Sequence, residues 1–323
     1  MSTSAPAAPG EPGPPPPPLP RYGEASLADL MPSLLAALDV PGYANPLGVE
    51  PLRRACLLVA DGLGGAKDLR DRFVPERAQP EPTAFEVAAA DGIEVTLVGA
   101  GEYAASGFTR AALRGGDYWR THSLGDQAAG ALRGLGKGRR SLVYLYHPDL
   151  DRTGHVRGAA AEAWRLELAH IDRLVGHIAE RLPGDAALFV TGDHGMVDLR
   201  AEQRIDLADR PELAAGVRLL AGEARARHVH THKGADDDVL ATWRGLLGHA
   251  MWVLPGEEAI AAGWFGPNVS DDARARIGDV VAAAHGPIGI VQREVDPTQA
   301  ILTGHHGSMT PAEQLVPFLE LRR

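Results

Sequence analysis

The chain has 323 residues, 45% of them apolar, and a formal net charge of −10 at pH 7. This length is enough for one large α/β domain or two smaller ones with a substantial core. Because 42 acidic residues outnumber 32 basic ones, we expect no nucleic-acid polymer as a partner, and no apolar run is long enough to span a membrane.

Residues 1–22 are predicted to form a disordered, proline-rich tail. Five consecutive prolines at 14–18 favour an extended polyproline conformation that buries little surface, and a ligand for a proline-recognition domain is the functional alternative. The tail has no apolar h-region, so it is not typical of a secretory signal. The single cysteine, Cys56, excludes an intramolecular disulfide. We therefore expect a cytoplasmic enzyme.

Short apolar runs and amphipathic stretches alternate in the next part of the chain. Helices are predicted from Ser26 and over residues 159–182, where apolar residues recur at helical spacing. Buried parallel strands are predicted at residues 55–60, 95–98, 142–146 and 187–191. This alternation predicts an α/β fold, with a central sheet flanked by helices over residues 23–323.

The pattern is less regular from about residue 205 to 265, which predicts a small inserted subdomain. Within it, Arg227 and His228 are predicted to lie on a solvated hairpin, with the lining of a substrate pocket as the alternative. Apolar runs at residues 279–283 and 288–291 predict a return to the main sheet. Residues 311–319 predict a final helix.

Acidic residues and histidines follow the predicted strands, at the edge where open α/β sheets bind ligands. They are Asp61 in VADGLGG, Asp151 and His155 in DLDRTGHVRG, Asp193 and His194 in TGDHGM, and His305 and His306 in TGHHGS. Each segment alone has a simpler explanation, such as a turn, a helix cap or a surface pair. Together, with one of the adjacent His305 and His306, they supply three carboxylates and three imidazoles. That set suits two divalent transition-metal ions, zinc first, with manganese or iron as alternatives.

The four motifs, in this order, resemble the nucleotide pyrophosphatase/phosphodiesterase branch of the alkaline-phosphatase superfamily, from about Arg54 to the C-terminus. The resemblance implies an alkaline-phosphatase-like sheet and two metal sites. One site would be formed by Asp151, His155 and His306, and the other by Asp61, Asp193 and His194. His306 matches because Gly307 follows it, which leaves His305 as a neighbour.

The resemblance also implies a two-metal phosphoric ester hydrolase of the phosphodiesterase or nucleotide pyrophosphatase type. Its partner would be a small molecule, a phosphate ester or nucleotide. In that family one metal activates a Thr or Ser hydroxyl, and the pair stabilises charge on the phosphoryl oxygens. An isomerase of the phosphoglycerate-mutase type is another chemistry of the superfamily that the motifs leave open, although the chain is short for it.

The segment that carries the family's nucleophile is shortened in this sequence. Thr83 is the only hydroxyl residue between Asp61 and Ala90. With Glu86 three residues later it forms the pattern of a helix capping box. Alternatively it is the nucleophile, at a helix N-terminus whose dipole would favour an anion. If it is not, the chain is a catalytically impaired member that binds metal or nucleotide.

Overall fold

A computed structural model describes residues 14–60 and 74–323. The chain divides into two compact units. The sheet unit comprises Pro20–Ala201, Ile301–His306 and Ala312–Arg323. The inserted unit comprises Glu202–Ala300 and Gly307–Pro311, together with the described N-terminal residues 14–19.

Strands and helices alternate in the first half of the chain and follow one another less regularly afterwards. The strands are β1 (Arg54–Ala60), β2 (Glu94–Ala100), β3 (Asp117–Thr121), β4 (Ser141–His147), β5 (Ala186–Gly192), β6 (Val197–Asp198), β7 (Arg204–Asp206), β8 (Val217–Glu223), β9 (Ala226–Thr231), β10 (Met251–Pro255), β11 (Val280–Ala284), β12 (Gly289–Val291), β13 (Gly304–His305) and β14 (Phe318–Arg322). The helices are α1 (Leu30–Ala37), α2 (Pro75–Ala78), α3 (Ala84–Ala90), α4 (Gly107–Ala112), α5 (Leu124–Leu135), α6 (Asp149–Arg157), α7 (Glu162–Ala179), α8 (Pro211–Ala214), α9 (Asp236–Leu247), α10 (Gly256–Ala261), α11 (Asp271–Arg274), α12 (Pro297–Ile301) and α13 (Pro311–Gln314). Among these described helices, none has the length and apolar character needed to cross a membrane.

The sheet unit is built on a six-stranded sheet with the order β14-β5-β1-β4-β2-β3. Strand β1 pairs in parallel with both β4 and β5, and β2 pairs in parallel with β4 and β3. Only β14 runs antiparallel, at the edge beside β5. The four predicted strands are all present, and the predicted α/β fold with a helix-flanked central sheet is confirmed.

The two faces of this sheet pack into separate cores. Along β1, Ala55 and Leu57 join one core with residues of α1 and α3, whereas Cys56 and Leu58 join the other with residues of α5 and α7. Successive side chains of a strand point to opposite faces, so a strand covered on both sides must be apolar throughout. This explains why the β1 sequence is a continuous apolar run rather than an alternating one.

The three central strands end at the same level. Ala60 of β1 lies opposite His147 of β4 on one side and Gly192 of β5 on the other. The residues that follow β4 and β5 therefore emerge side by side at the carboxyl edge of the sheet. Asp61, which follows Ala60 in the sequence, lies outside the described residues.

The inserted unit contains a separate antiparallel sheet with the order β10-β11-β9-β8. The prediction that residues 279–283 and 288–291 return to the main sheet is wrong, because β11 pairs with β9 and β10, and β12 pairs with β7. An apolar run predicts burial, but it does not identify the partner strand. The unit has its own core, in which Trp243 is fully buried.

Two buried arginines connect the strands of the inserted unit. Arg227 is only 4% exposed, so the prediction of a solvated hairpin is wrong for this residue. Its Nε donates a 2.8 Å hydrogen bond to the carbonyl of Ile290. Arg225 donates 2.9 Å bonds to the carbonyls of Gly286 and Ile288. Burial lowers the pKa of Arg227 to about 10. Both side chains thus satisfy backbone carbonyls near β12.

Candidate metal centre

Asp151 and His155 lie on the same face of α6, the helix that begins directly after β4. Their i, i+4 spacing brings His155 Nε2 to 3.1 Å from Asp151 Oδ2. The Asp151 side chain is buried, with 6% of its surface exposed. The helix therefore presents one carboxylate and one imidazole together at the carboxyl edge of the sheet.

His306 reaches the same position from a distant part of the sequence. It follows β13, which pairs antiparallel with β6. Its Nε2 lies 3.2 Å from His155 Nε2 and 3.9 Å from Asp151 Oδ1. The structure thus brings together the three residues that the resemblance assigned to one metal.

Asp193 and His194 follow β5 and lie beside this group. The His194 ring stacks on that of His306, with centroids 3.5 Å apart and an interplanar angle of 15°. One ligand atom from each of Asp151, His194 and His306 lies within 4.8 Å of the others. The His194 Nε2 is also 3.7 Å from Asp193 Oδ2. Five of the six predicted ligands therefore form one cluster, and the sixth, Asp61, lies outside the described residues.

Backbone carbonyls orient two of the histidine rings. His155 Nδ1 lies 2.7 Å from the carbonyl oxygen of Gly304, and His194 Nδ1 lies 3.0 Å from that of Gly195. A ring nitrogen that donates to a carbonyl carries the proton, which leaves the other nitrogen with its lone pair. Both rings are therefore arranged to present Nε2 as a metal ligand.

The contact between His155 and Gly304 depends on the close backbone approach of two glycines, Gly154 and Gly304. A Cβ added to Gly304 would lie 2.3 Å from Met196 Sδ and 2.5 Å from the Gly154 carbonyl oxygen. A Cβ on Gly154 would lie 2.5 Å from the same sulfur. These glycines let α6 and β13 approach closely enough for the carbonyl to reach the imidazole.

The turn after α6 is fixed by an acidic residue that the sequence analysis did not identify. Asp198 accepts hydrogen bonds from the backbone N–H groups of Ala159 at 2.8 Å and Ala160 at 3.1 Å. Gly158, the last residue of the Asp-x-x-x-His-x-x-Gly motif, has φ of +90°, and a Cβ there would lie 2.7 Å from Asp198 Oδ2. This arrangement explains the glycine of the motif. In the sequence, Asp198 is marked only by its position, five residues after Asp193.

The buried carboxylate of Asp151 fits a cation. Within the described part of the chain, neither of its oxygens has a hydrogen-bond partner, although both are shielded from solvent. A buried carboxylate without hydrogen bonds is costly unless a cation or a donor compensates it. Its oxygens face imidazole nitrogens, and this mixed oxygen and nitrogen set suits zinc, manganese or iron. The residues present therefore fit a divalent metal.

Thr83 has a structural position at the start of α3. Its hydroxyl accepts from the backbone N–H of Glu86 at 3.1 Å, and the Glu86 carboxylate accepts from the Thr83 N–H at 2.9 Å. The same hydroxyl donates a 2.5 Å hydrogen bond to the carbonyl of Arg114. The side chain is 5% exposed. The capping box is therefore formed, and the hydroxyl proton is already donated to a backbone carbonyl.

A second polar cluster lies near the end of β4. Ligand atoms of His147, Asp149 and Glu167 lie within 4.8 Å of one another. The buried His147 has Nε2 3.1 Å from Glu167 Oε1 and Nδ1 3.2 Å from Gln127 Oε1. Both ring nitrogens are thus already hydrogen-bonded, which is the pattern of a closed structural network.

Comparisons with known proteins identify a family and a fold. The sequence profile of the family described as type I phosphodiesterase / nucleotide pyrophosphatase matches residues 93–309. A search of curated proteins found no match.

Several solved structures resemble the fold. Human ectonucleotide pyrophosphatase / phosphodiesterase 5 is 19% identical with a TM-score of 0.59, and the alignment covers 74% of this chain and 63% of that one. An inactive variant of the murine protein in complex with AMP is 18% identical, with a TM-score of 0.56 and the same coverage. Phosphonoacetate hydrolase from Sinorhizobium meliloti, in complex with phosphonoformate, is 16% identical with a TM-score of 0.58, covering 84% of this chain and 90% of that one.

The chain spans less than two thirds of the two ectonucleotide proteins it resembles. At these identities the structural similarity establishes the fold alone. The family profile covers more than half of the sequence, including His155, His194 and His306. The chain therefore belongs to the type I phosphodiesterase / nucleotide pyrophosphatase family.

Proposed function

We propose that this chain is a metal-dependent phosphoric ester hydrolase of the phosphodiesterase or nucleotide pyrophosphatase type. The observation that carries the proposal is the convergence of His155 and His306 on the buried Asp151 carboxylate, which has no hydrogen-bond partner among the described residues. These residues come from two segments far apart in the sequence, so their meeting is not a result of local helix geometry alone.

Two groups of residues would hold the metals. Asp151, His155 and His306 would bind one, and Asp61, Asp193 and His194 would bind the other. The stacked rings of His194 and His306 support adjacent sites. A pair of divalent ions, when bound, would stabilise negative charge on the phosphoryl oxygens and increase the acidity of a hydroxyl group. Zinc is the first candidate for both sites, with manganese or iron as alternatives.

We expect the substrate to be a small molecule that contains phosphate. The structurally similar proteins were solved with AMP and with phosphonoformate. The net charge of −10 would repel a long polyanion, so a nucleotide or another small ester fits better than a nucleic-acid polymer.

The position of Thr83 supports a second candidate function, a member that binds metal or nucleotide and hydrolyses poorly. Thr83 caps its own helix, and no other Ser or Thr lies between Asp61 and Ala90. The murine protein solved with AMP is described as inactive and carries one threonine-to-alanine change. If this chain has no equivalent hydroxyl, its metal centre would retain binding without efficient turnover.

One set of measurements separates the two candidates. The purified full-length chain is loaded with zinc or manganese, its metal content is measured by mass spectrometry, and hydrolysis of bis-p-nitrophenyl phosphate is followed. AMP binding is measured by calorimetry. His306→Ala removes a proposed ligand, and His170→Ala, at an exposed position on α7, is the matched control.

The outcomes differ clearly. Metal binding with turnover that His306→Ala abolishes supports the hydrolase. Stoichiometric metal and AMP binding without turnover supports the impaired member. A chain that takes up no metal under either condition contradicts both candidates.

A further inference from the structure

The proline-rich N-terminal segment contacts the inserted unit. The indole N–H of Trp252 donates a 2.8 Å hydrogen bond to the carbonyl oxygen of Pro15, although 237 positions separate the two residues. Trp252 lies on β10, in the antiparallel sheet of the inserted unit. The segment is thus fixed to this unit by a directional bond as well as by apolar contact.

The segment and the sheet line an open pocket of about 430 Å³. Pro14, Pro16, Pro17 and Leu19 form part of its lining, and Trp252, Leu254 and Trp264 are among the other lining residues. A Cβ added to Gly263 would lie 3.3 Å from Leu19 Cδ1, and φ at Gly263 is +82°. The absence of a side chain at Gly263 therefore leaves room for Leu19.

Trp252 is held in an orientation that leaves its indole N–H available to the segment. Its neighbours on β10, Met251 and Val253, are buried, and the alternation of a strand directs Trp252 to the opposite face. There the indole packs against the His285 ring, with centroids 5.1 Å apart. A donor fixed in this way needs little reordering when an acceptor arrives.

Aromatic grooves with an outward-pointing N–H donor match the chemistry of polyproline segments. Such segments offer carbonyl acceptors and flat pyrrolidine rings, and their restricted backbone loses little entropy on docking. We propose that Trp252, Leu254 and Trp264 form a polyproline-binding groove whose resident ligand is residues 14–19 of the same chain. A segment of the same chemistry binds there in trans once the resident one is disabled.

The chain's own segment is the occupant because it is already tethered beside the groove. It contains five consecutive prolines and is continuous with the sheet unit at Pro20. A short tether gives an effective concentration in the millimolar range, on the order of that for short linkers generally. A free proline-rich peptide must therefore compete with a ligand that never diffuses away.

The test uses the full-length chain and a fluorescently labelled peptide of residues 10–22, with binding followed by anisotropy. In one variant the resident ligand is disabled by replacing Pro14, Pro16, Pro17 and Leu19 with Ser. We expect this variant to bind the peptide at least 10-fold more tightly than the wild-type chain does. Adding Trp252→Phe keeps an aromatic ring but removes the donor, and should weaken peptide binding roughly 3- to 10-fold.

The control peptide has Ala at Pro14, Pro16 and Pro17 and should not bind. Two results would overturn the proposal of a polyproline-binding groove. One is equal binding of both peptides, and the other is no peptide binding by a fourfold variant whose circular dichroism matches the wild-type chain. If the fourfold variant is unstable, Leu19→Ser alone should show the same direction of change. A wild-type dimer in sedimentation that the fourfold variant loses would overturn the assignment of the segment to its own chain.

Discussion

His155 Nε2 lies 3.2 Å from His306 Nε2, although 151 positions separate the two residues in the sequence. The Nδ1 atom of His155 faces the Gly304 carbonyl, so its proton is on that side. The Nε2 lone pair therefore points toward His306 and Asp151. Two ring nitrogens and a carboxylate at this separation share either a proton or a metal ion.

Asp151→Asn should abolish metal binding at the site formed by Asp151, His155 and His306. Changes to outer-shell partners cost about 10- to 100-fold in metal affinity, so loss of a direct ligand should exceed about 100-fold. Calorimetric titration with zinc measures the effect. The matched control is Asp149→Asn, two residues earlier on α6, whose side chain is 49% exposed. Equal losses in both variants would remove Asp151 from the ligand set.

The same substitution should stabilise the metal-free protein. The Asp151 oxygens are buried without hydrogen-bond partners in the described part of the chain, and an amide there is neutral. We expect the metal-free Asp151→Asn variant to gain about 1–3 kcal/mol in unfolding free energy. Metal should raise the urea midpoint of the wild-type chain but not that of the variant. A less stable metal-free variant would show that the carboxylate is satisfied in the absence of a cation.

Gly304→Ala should weaken metal binding without touching a ligand. Its Cβ would clash with Met196 and with the Gly154 carbonyl, so β13 must move and release His155 Nδ1. We expect roughly a 10- to 100-fold loss of zinc affinity, as for other changes to groups that orient a metal ligand.

The control for this variant is Gly176→Ala on α7, where a Cβ meets nothing within 4 Å. That change should leave affinity intact and raise stability by up to about 1 kcal/mol, since alanine is the better helix former. If both variants bind zinc like the wild-type chain, the carbonyl does not position His155.

Three substitutions at Thr83 separate capping from catalysis. Thr83→Ala should lower the unfolding free energy by about 1 kcal/mol or more, because the cap and the bond to the Arg114 carbonyl are both lost. Thr83→Asn keeps a good cap but removes the hydroxyl, and Thr83→Ser keeps both. Turnover that survives in Thr83→Asn excludes the hydroxyl as nucleophile. Turnover that survives only in Thr83→Ser would instead support the hydroxyl as the nucleophile.

Acid should destabilise the inserted unit through His228. Burial holds the pKa of His228 below its usual value, and the nearby His230 lowers it further. Its Nδ1 accepts the N–H of Gly278 at 3.3 Å, which requires that nitrogen to be unprotonated. In the unfolded chain the pKa of this histidine is about 6.5, so the unfolded state takes up the proton first as the pH falls.

The contribution of His228 should be complete above about pH 6.5 and decline as the pH falls toward the folded-state pKa. Urea midpoints measured from about pH 7.5 to about pH 5, in steps of about half a pH unit, bracket the unfolded-state pKa of about 6.5 and would show this decline in stability. His228→Asn retains an acceptor and should flatten the profile, whereas His170→Asn on α7 should not. An unchanged slope in His228→Asn would assign the acid sensitivity to another group.

The sequence predicts the sheet and much of the metal cluster because both depend on short local patterns. An apolar run such as that of β1 indicates a strand covered on both faces, and the polar residues after it must then lie at one edge. The spacing of Asp151 and His155 likewise survives in the structure as one helix face. Ordered motifs add His306, which spacing alone could not place.

Other features could not be predicted, since they depend on which elements meet. The predicted helix at residues 311–319 is wrong beyond Gln314, because β14 forms there by pairing with β5. Similarly, nothing local distinguishes the β11 run from a strand of the main sheet. The carbonyl of Gly304 carries no side-chain signal at all, and its role exists only because two glycines allow close approach.

The division of the chain has a consequence for the order of events during synthesis. The helix that carries Asp151 and His155 is made first, and residues 202–300 of the inserted unit are translated before His306 emerges. At about 5–20 residues per second, that interval is on the order of ten seconds. During it, the nascent chain carries two of the proposed ligands without the third. The group of Asp151, His155 and His306 is therefore completed only after this interval.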